Sequence, residues 1–208
     1  MKKLIISLFV LHSFVFSQTN VSGVISSNTT WTLANSPYIV TGNILINQNV
    51  TLTIEAGVNV QFDSDKVFQV KGELIAQGTN TSKITFTSNA SNPTAGDWAS
   101  IQFLEETTDA TFSGSSYTSG SIMEYCIVEY AENLYIYRSR PFINYSEFRY
   151  NGDGSTSGYD GGYGIFLNGG NPKITKFEDS VFTGNYRVGN ITKDFLKNLE
   201  NSRSNLTK

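Results

Sequence analysis

The residues that could do chemistry gather late in the chain. The stretch 151–164, NGDGSTSGYDGGYG, carries Asp153, Tyr159, Asp160 and Tyr163, and Arg138 and Arg140 shortly precede it. Carboxylates beside a guanidinium could hold Ca2+ and orient an oxygen-rich ligand. Tyrosine rings presented on a flat surface could pack on sugar rings. Tyr159, Asp160, Tyr163 and Arg138 are therefore the candidate ligand-binding residues. The stretch lacks the alternating oxygen spacing and closing Glu of a calcium loop, and six of its 14 residues are glycine. Turn residues that satisfy their own backbone are the plainer account of it, and of the DSDK corner at 63–66. We assign no catalytic residue, no metal ligand and no required cofactor. Ca2+ is the one ion the loop could take.

Much chemistry is excluded by what the chain lacks. His12 is its single histidine and Cys126 its single cysteine. His12 falls in a leader: Lys2 and Lys3 form a basic start, LIISLFVLHSFVF is an apolar run, and Val15 and Ser17 precede Gln18 at the −3 and −1 places. That is the pattern of a secretory signal peptide, 1–17, cut after Ser17. The run is shorter than the roughly 20 residues of a membrane span, and no Cys follows it to carry a lipid. Secretion or display at the cell surface is expected, with no membrane span after processing. Without His12 the mature chain builds neither a Ser-His-Asp nor a Cys-His unit, and no Cys/His metal site. Charged residues are 16% and the net charge is −3, so no basic face exists for nucleic acid.

The elements that position these residues are repeats. Within 40–89, Gly42 aligns with Gly72, Ile44 with Leu74 and Leu45 with Ile75, 30 apart; Leu52 aligns with Ile84 and Ile54 with Phe86, 32 apart. Short β-rich runs at such a period predict a solenoid. TLTI (51–54), VNVQF (58–62) and VFQV (67–70), separated by turn residues, predict one three-sided turn. In DWASIQF (97–103), alternation sets Trp98, Ser100 and Gln102 against Ala99, Ile101 and Phe103. Residues 104–120 read as an irregular loop. Residues 18–39 read as an N-terminal cap plugged by Trp31, 40–189 as the coil, and 190–208 as a helical or disordered tail.

A second repeat begins at Met123. MEYCIV (123–128), INYSEF (143–148) and FEDSVF (177–182) share apolar first and last residues and a small Cys or Ser between, at spacings of 20 and 34. The 14-residue difference matches the length of 151–164. RPFI (140–143) and NPKI (171–174) mark a recurring corner. On adjacent turns Glu129 should meet Arg149, and Tyr125 should stack on Tyr145. Thr51-x-Thr53 and Thr85-x-Thr87 also recur, as the strand preference of Thr allows.

TLTIEAGVNVQF, GELIAQGT, KITFTSN, DWASIQF and EYCIVEY, behind a leader ending FSQ, together resemble secreted right-handed parallel β-helix proteins of Bacteroidetes-type bacteria, with the pectin lyase-like fold. The resemblance covers about residues 20–185. It implies an all-β coil of about five to six rungs. Larger members continue for many rungs to a sorting domain, so it also implies that this chain is a truncated product. Enzymes of the fold use acidic clusters with an Arg or Lys base, or paired Asp with His and Arg-x-Lys. Here no Asp-Asp pair and no Arg-x-Lys occurs. The expected role is structural, adhesive or glycan-contacting, toward extracellular polysaccharide or cell-surface glycan. The alternative is a polysaccharide lyase or glycoside hydrolase.

Overall fold

The structure, a computed structural model, describes residues 18–152, and beyond them the backbone of 163–168, 177–178, 181–183 and 187–189, with the side chain of Ile165. The leader, Tyr159, Asp160, the NPKI corner and the 190–208 tail lie outside the described residues.

Short alternating runs leave every strand with one apolar edge and too little area to bury it alone. The chain solves this by coiling, so that each strand pairs in parallel with the strand one turn away. The first strand, β1 (Thr19–Ile25), runs beside β3 as a part turn. Six three-sided turns follow among the described residues. The first is β2 (Thr29–Trp31) and the long β3 (Tyr38–Ile46), which rounds a corner and serves two sides. The second is β4 (Thr51–Ile54), β5 (Asn59–Phe62) and β6 (Val67–Val70). The third is β7 (Glu73–Gln77), β8 (Ile84–Ser88) and β9 (Trp98–Phe103). An antiparallel hairpin, β10 (Thr111–Ser113) and β11 (Ser116–Ser119), then leaves the coil. The fourth turn is β12 (Ile122–Glu124), β13 (Cys126–Glu129) and β14 (Ala131–Tyr137). The fifth is β15 (Phe142–Asn144), β16 (Glu147–Arg149) and β17 (Tyr163–Asn168). The sixth is β18 (Phe177–Glu178), β19 (Val181–Thr183) and β20 (Arg187–Gly189). Face one stacks β2, β4, β7, β12, β15 and β18; face two runs from β3 through β5, β8, β13, β16 and β19; face three runs from β3 through β6, β9, β14, β17 and β20. This is a parallel β-helix.

The core is a set of ladders. Val60, Phe86, Val128, Phe148 and Phe182 share one register on face two, and the first four are buried. Met123, Ile143 and Phe177 share another on face one, as the second repeat predicts. Buried rings thread the axis: Phe62 stacks on Trp98 at 4.0 Å, and Trp31 stacks on Tyr38 at 4.7 Å near the first turn.

Four expectations are corrected. Residues 18–39 are not a separate cap: β1 and β2 pair in parallel with the coil, β1 with a register shift between Val21 and Gly23, although Trp31 is buried at its top. The 30- and 32-residue alignments join different faces. True partners are Ile44 with Phe68, Leu52 with Leu74 and Val60 with Phe86, so the turn is 22 to 26 residues long here. All faces read apolar-x-apolar, so one face mimics the next. For the same reason the two Thr-x-Thr pairs sit on different faces, β4 and β8. The alternation in β9 breaks at Ser100 and Ile101, both buried, and β14 repeats the break at Asn133 and Leu134, their register partners. Paired irregularities bend both strands together. Finally, 104–120 contains the hairpin. Phe112 and Tyr117 pack on Phe142 at 5.2 and 5.9 Å, covering the outward column Ile75–Ile122–Phe142 of face one.

Candidate functional site

Tight corners require backbone that most residues avoid. Tyr125 and Tyr145 join face one to face two with φ of 49° and 46°; Tyr130 and Tyr150 end face two with φ of 62° and 56°. The left-handed region costs an ordinary residue roughly 1–2 kcal/mol, and Asn or Gly would fill it more cheaply. Ring stacking offsets part of that cost. Tyr125 lies on Tyr145 at 4.8 Å, Tyr130 on Tyr150 at 5.7 Å, both nearly parallel. Such pairs contribute about 0.5–1.5 kcal/mol each beyond area burial. Tyr145 and Tyr150 stay 39% and 45% exposed. Five residues of extended chain separate the two edges, about 16 Å at ~3.3 Å per residue.

Between the edges lies a closed polar network. The Thr87 hydroxyl donates to Glu129 Oε1 at 2.9 Å, and Arg149 Nε donates to Glu129 Oε2 at 2.6 Å. Arg149 also reaches Glu147 Oε2 at 3.5 Å, and Lys83 Nζ donates to Glu147 Oε1. Burial works against the Arg149 charge, but Glu129 and Glu147 outweigh it and raise its pKa. Glu129 and Arg149 thus meet on adjacent turns, as their 20-residue spacing predicts. Tyr125 and Tyr145 stack as expected. The second tyrosine pair has the same spacing, which would have revealed it. Lys83 opens the KITFTSN run, but no repeat spacing pairs it with Glu147, so this contact left no signal.

The predicted site residues are not brought together among the described residues. Arg138 stands at the corner between faces three and one, about half exposed, with Nη1 3.3 Å from Glu105 Oε1 and its guanidinium 5.3 Å from the Tyr137 ring centre. Tyr163 opens β17, whose far end, Asn168, pairs with Tyr137. Arg138 and Tyr163 are therefore at opposite ends of face three. Arg140 is also occupied: its backbone and Nε both donate to Asp109 at 2.7 Å, clasping the base of the hairpin. Among the described residues no three His, Cys, Asp or Glu side chains gather as a metal site. Cys126 is fully buried; burial pushes its thiol pKa up, and Sγ donates to Ala76 O at 3.4 Å. A thiol so placed is structural.

A family model described as a pectate-lyase like beta helix domain matches residues 23–136, more than half of the 208. The chain belongs to this family. No curated protein and no solved structure matches it. The match spans the coil from within β1 nearly to the end of β14, including Tyr125, Glu129 and Tyr130. Arg149, Tyr145 and Tyr150 lie one turn beyond it. Membership in the pectate-lyase-like β-helix family accounts for the coil; the side chains on its faces decide the chemistry.

Proposed function

We propose that this chain is an exported, non-catalytic β-helix that contacts extracellular polysaccharide through face two. One observation carries the reading: four tyrosines occupy strained left-handed corners, in two stacked pairs, on both edges of one face. Tyr130 also packs against the core, but at the exposed Tyr145 and Tyr150 the backbone asks only for a tolerant residue, and Asn is tolerant. Strain retained where a cheaper residue exists motivates a functional role for the side chain. Sugar rings stack on such platforms, and a span of about 16 Å suits a polymer better than a monosaccharide. Export follows from the leader pattern at 1–17. Among the described residues no helix is long and apolar enough to cross a membrane.

The test is a Tyr145→Asn/Tyr150→Asn double variant. Its melting temperature should hold or rise by a few degrees, since Asn suits the left-handed region. Retention on immobilised polysaccharides should weaken about tenfold, equivalent to about 1.4 kcal/mol. Unchanged retention would remove face two as the contact surface. New chain ends released from a polysaccharide by the wild type would replace this reading with the lyase or hydrolase alternative.

A further inference from the structure

Building on that reading of face two, we infer that the polysaccharide it accepts is uncharged, and that Glu129 and Glu147 are the specificity residues that exclude polyuronates. A polymer rich in carboxylates needs a cation with open donors, above all a guanidinium fork. The network between the tyrosine edges has two cations, Lys83 and Arg149, and both are paired with its carboxylates. Arg149 turns Nε to Glu129 and Nη1 to Glu147, and Lys83 turns Nζ to Glu147. A uronate would have to break these pairs or lie against two carboxylates.

The rim is acidic on balance: it carries Lys66, whose Nζ donates to Ser64 O, but more carboxylates than that. Beside Tyr125, Glu124 is held by the amides of Gln77 at 3.4 Å and Asn144 at 3.3 Å. Past the other edge, Asp97 accepts from the hydroxyls of Ser88 at 2.8 Å and Thr94 at 2.6 Å. Asp63 accepts from Asn89 at 2.8 Å. Amides and hydroxyls satisfy these acids without cancelling their charge. Beside the paired charges, what the face offers a ligand is neutral: tyrosine rings, the amide of Gln61 and the hydroxyl of Thr85, which lie on its outward columns. Carboxylates with spare lone pairs can also accept from sugar hydroxyls.

The experiment measures binding of the full chain to soluble xyloglucan, galactomannan and polygalacturonate at low ionic strength. At least one neutral polymer should bind, with polygalacturonate about tenfold weaker or worse. Glu129→Gln/Glu147→Gln should free Arg149 and Lys83 and raise polygalacturonate affinity about fivefold or more, a gain that 0.5 M salt removes. Glu147→Gln alone, at the more exposed end of the network, keeps the test available if the double variant fails to fold. Wild-type binding of polygalacturonate as tight as that of every neutral polymer, but lost in Tyr145→Asn/Tyr150→Asn, would overturn this inference and leave the face-two reading standing. So would folded Gln variants with no gain. Binding of no polymer, or binding indifferent to the tyrosines, would instead overturn the face-two reading itself.

Discussion

Glu147 and Phe148 stand side by side on β16 and face opposite ways. Phe148 is fully buried in the ladder between Val128 and Phe182. Glu147 lies outside, touching Lys83 and Arg149 with 29% of its side chain exposed. Truncating a buried ring leaves a cavity that a stacked ladder closes poorly. Phe148→Ala should therefore lower stability by ~3–5 kcal/mol. Glu147→Ala removes half-exposed ion pairs, which contribute about 0–1 kcal/mol after screening. Denaturant melts of the two variants should differ accordingly, and equal losses would mean the face-two register is one residue out. This register was legible in sequence because Val128, Phe148 and Phe182 recur with a small residue two places before each. The tyrosine platforms were legible only in part. Positive φ leaves no mark on a tyrosine, whereas at Gly57, with φ of 83°, the glycine itself makes the requirement visible.

At the scale of elements, the corners vary while the strands keep step. Face two passes to face three through one residue, Tyr130, in the fourth turn, but through 89–97 in the third. Asp97 organises that longer corner: it accepts from the Thr94 backbone and hydroxyl at 2.9 and 2.6 Å and from Ser88 at 2.8 Å. Burial alone would raise its pKa, but these hydrogen bonds outweigh it and hold the carboxyl below the usual range. A depressed pKa contributes stability above the unfolded value, about 3.9, and loses it as pH falls through the folded value. Asp97→Ala removes these hydrogen bonds at a largely solvated corner and, after screening, should cost up to about 1 kcal/mol at neutral pH. The difference from wild type should shrink below about pH 4, and a difference that grew with acid would contradict the assignment. Corners also explain which elements sequence reading misplaced. The hairpin hides in a polar Ser/Thr/Gly run whose apolar content is little more than Phe112 and Tyr117. The single strand β3 serves two faces without a turn signal, which is how the first repeat slipped by one face.

At the scale of the whole molecule, the spacing between paired strands measures how much extra chain a coil carries. Leu134 and Ile165 pair at a separation of 31, against 20 for Val128 and Phe148, so eleven extra residues lie between β16 and β17. Ile143 and Phe177 are 34 apart, so three more lie between β17 and β18. The 14-residue excess is therefore divided between two corners, not confined to 151–164. On either side of the larger insertion the register is intact: Phe148 meets Val128 and Ile165 meets Leu134. Asn151 seals the corner before the chain leaves it, donating Nδ2 to Val128 O and accepting from the Ala131 N–H, both at 2.9 Å. Each turn of a solenoid contacts only its neighbours, and those contacts are made by strands. Loop closure costs only about 0.6 kcal/mol per doubling of length, so a shorter link changes the balance little. Replacing residues 153–162 with a short Gly-Ser turn, keeping Asn151 and Gly152, should leave the melting temperature within a few degrees of wild type. Tyr159 and Asp160 are removed by the same change. Polysaccharide binding that survives in this variant assigns the contact to the tyrosine-edged face, and binding that disappears while the melt is unchanged returns it to the loop. A collapse of the melt would show that the insertion is built into the coil.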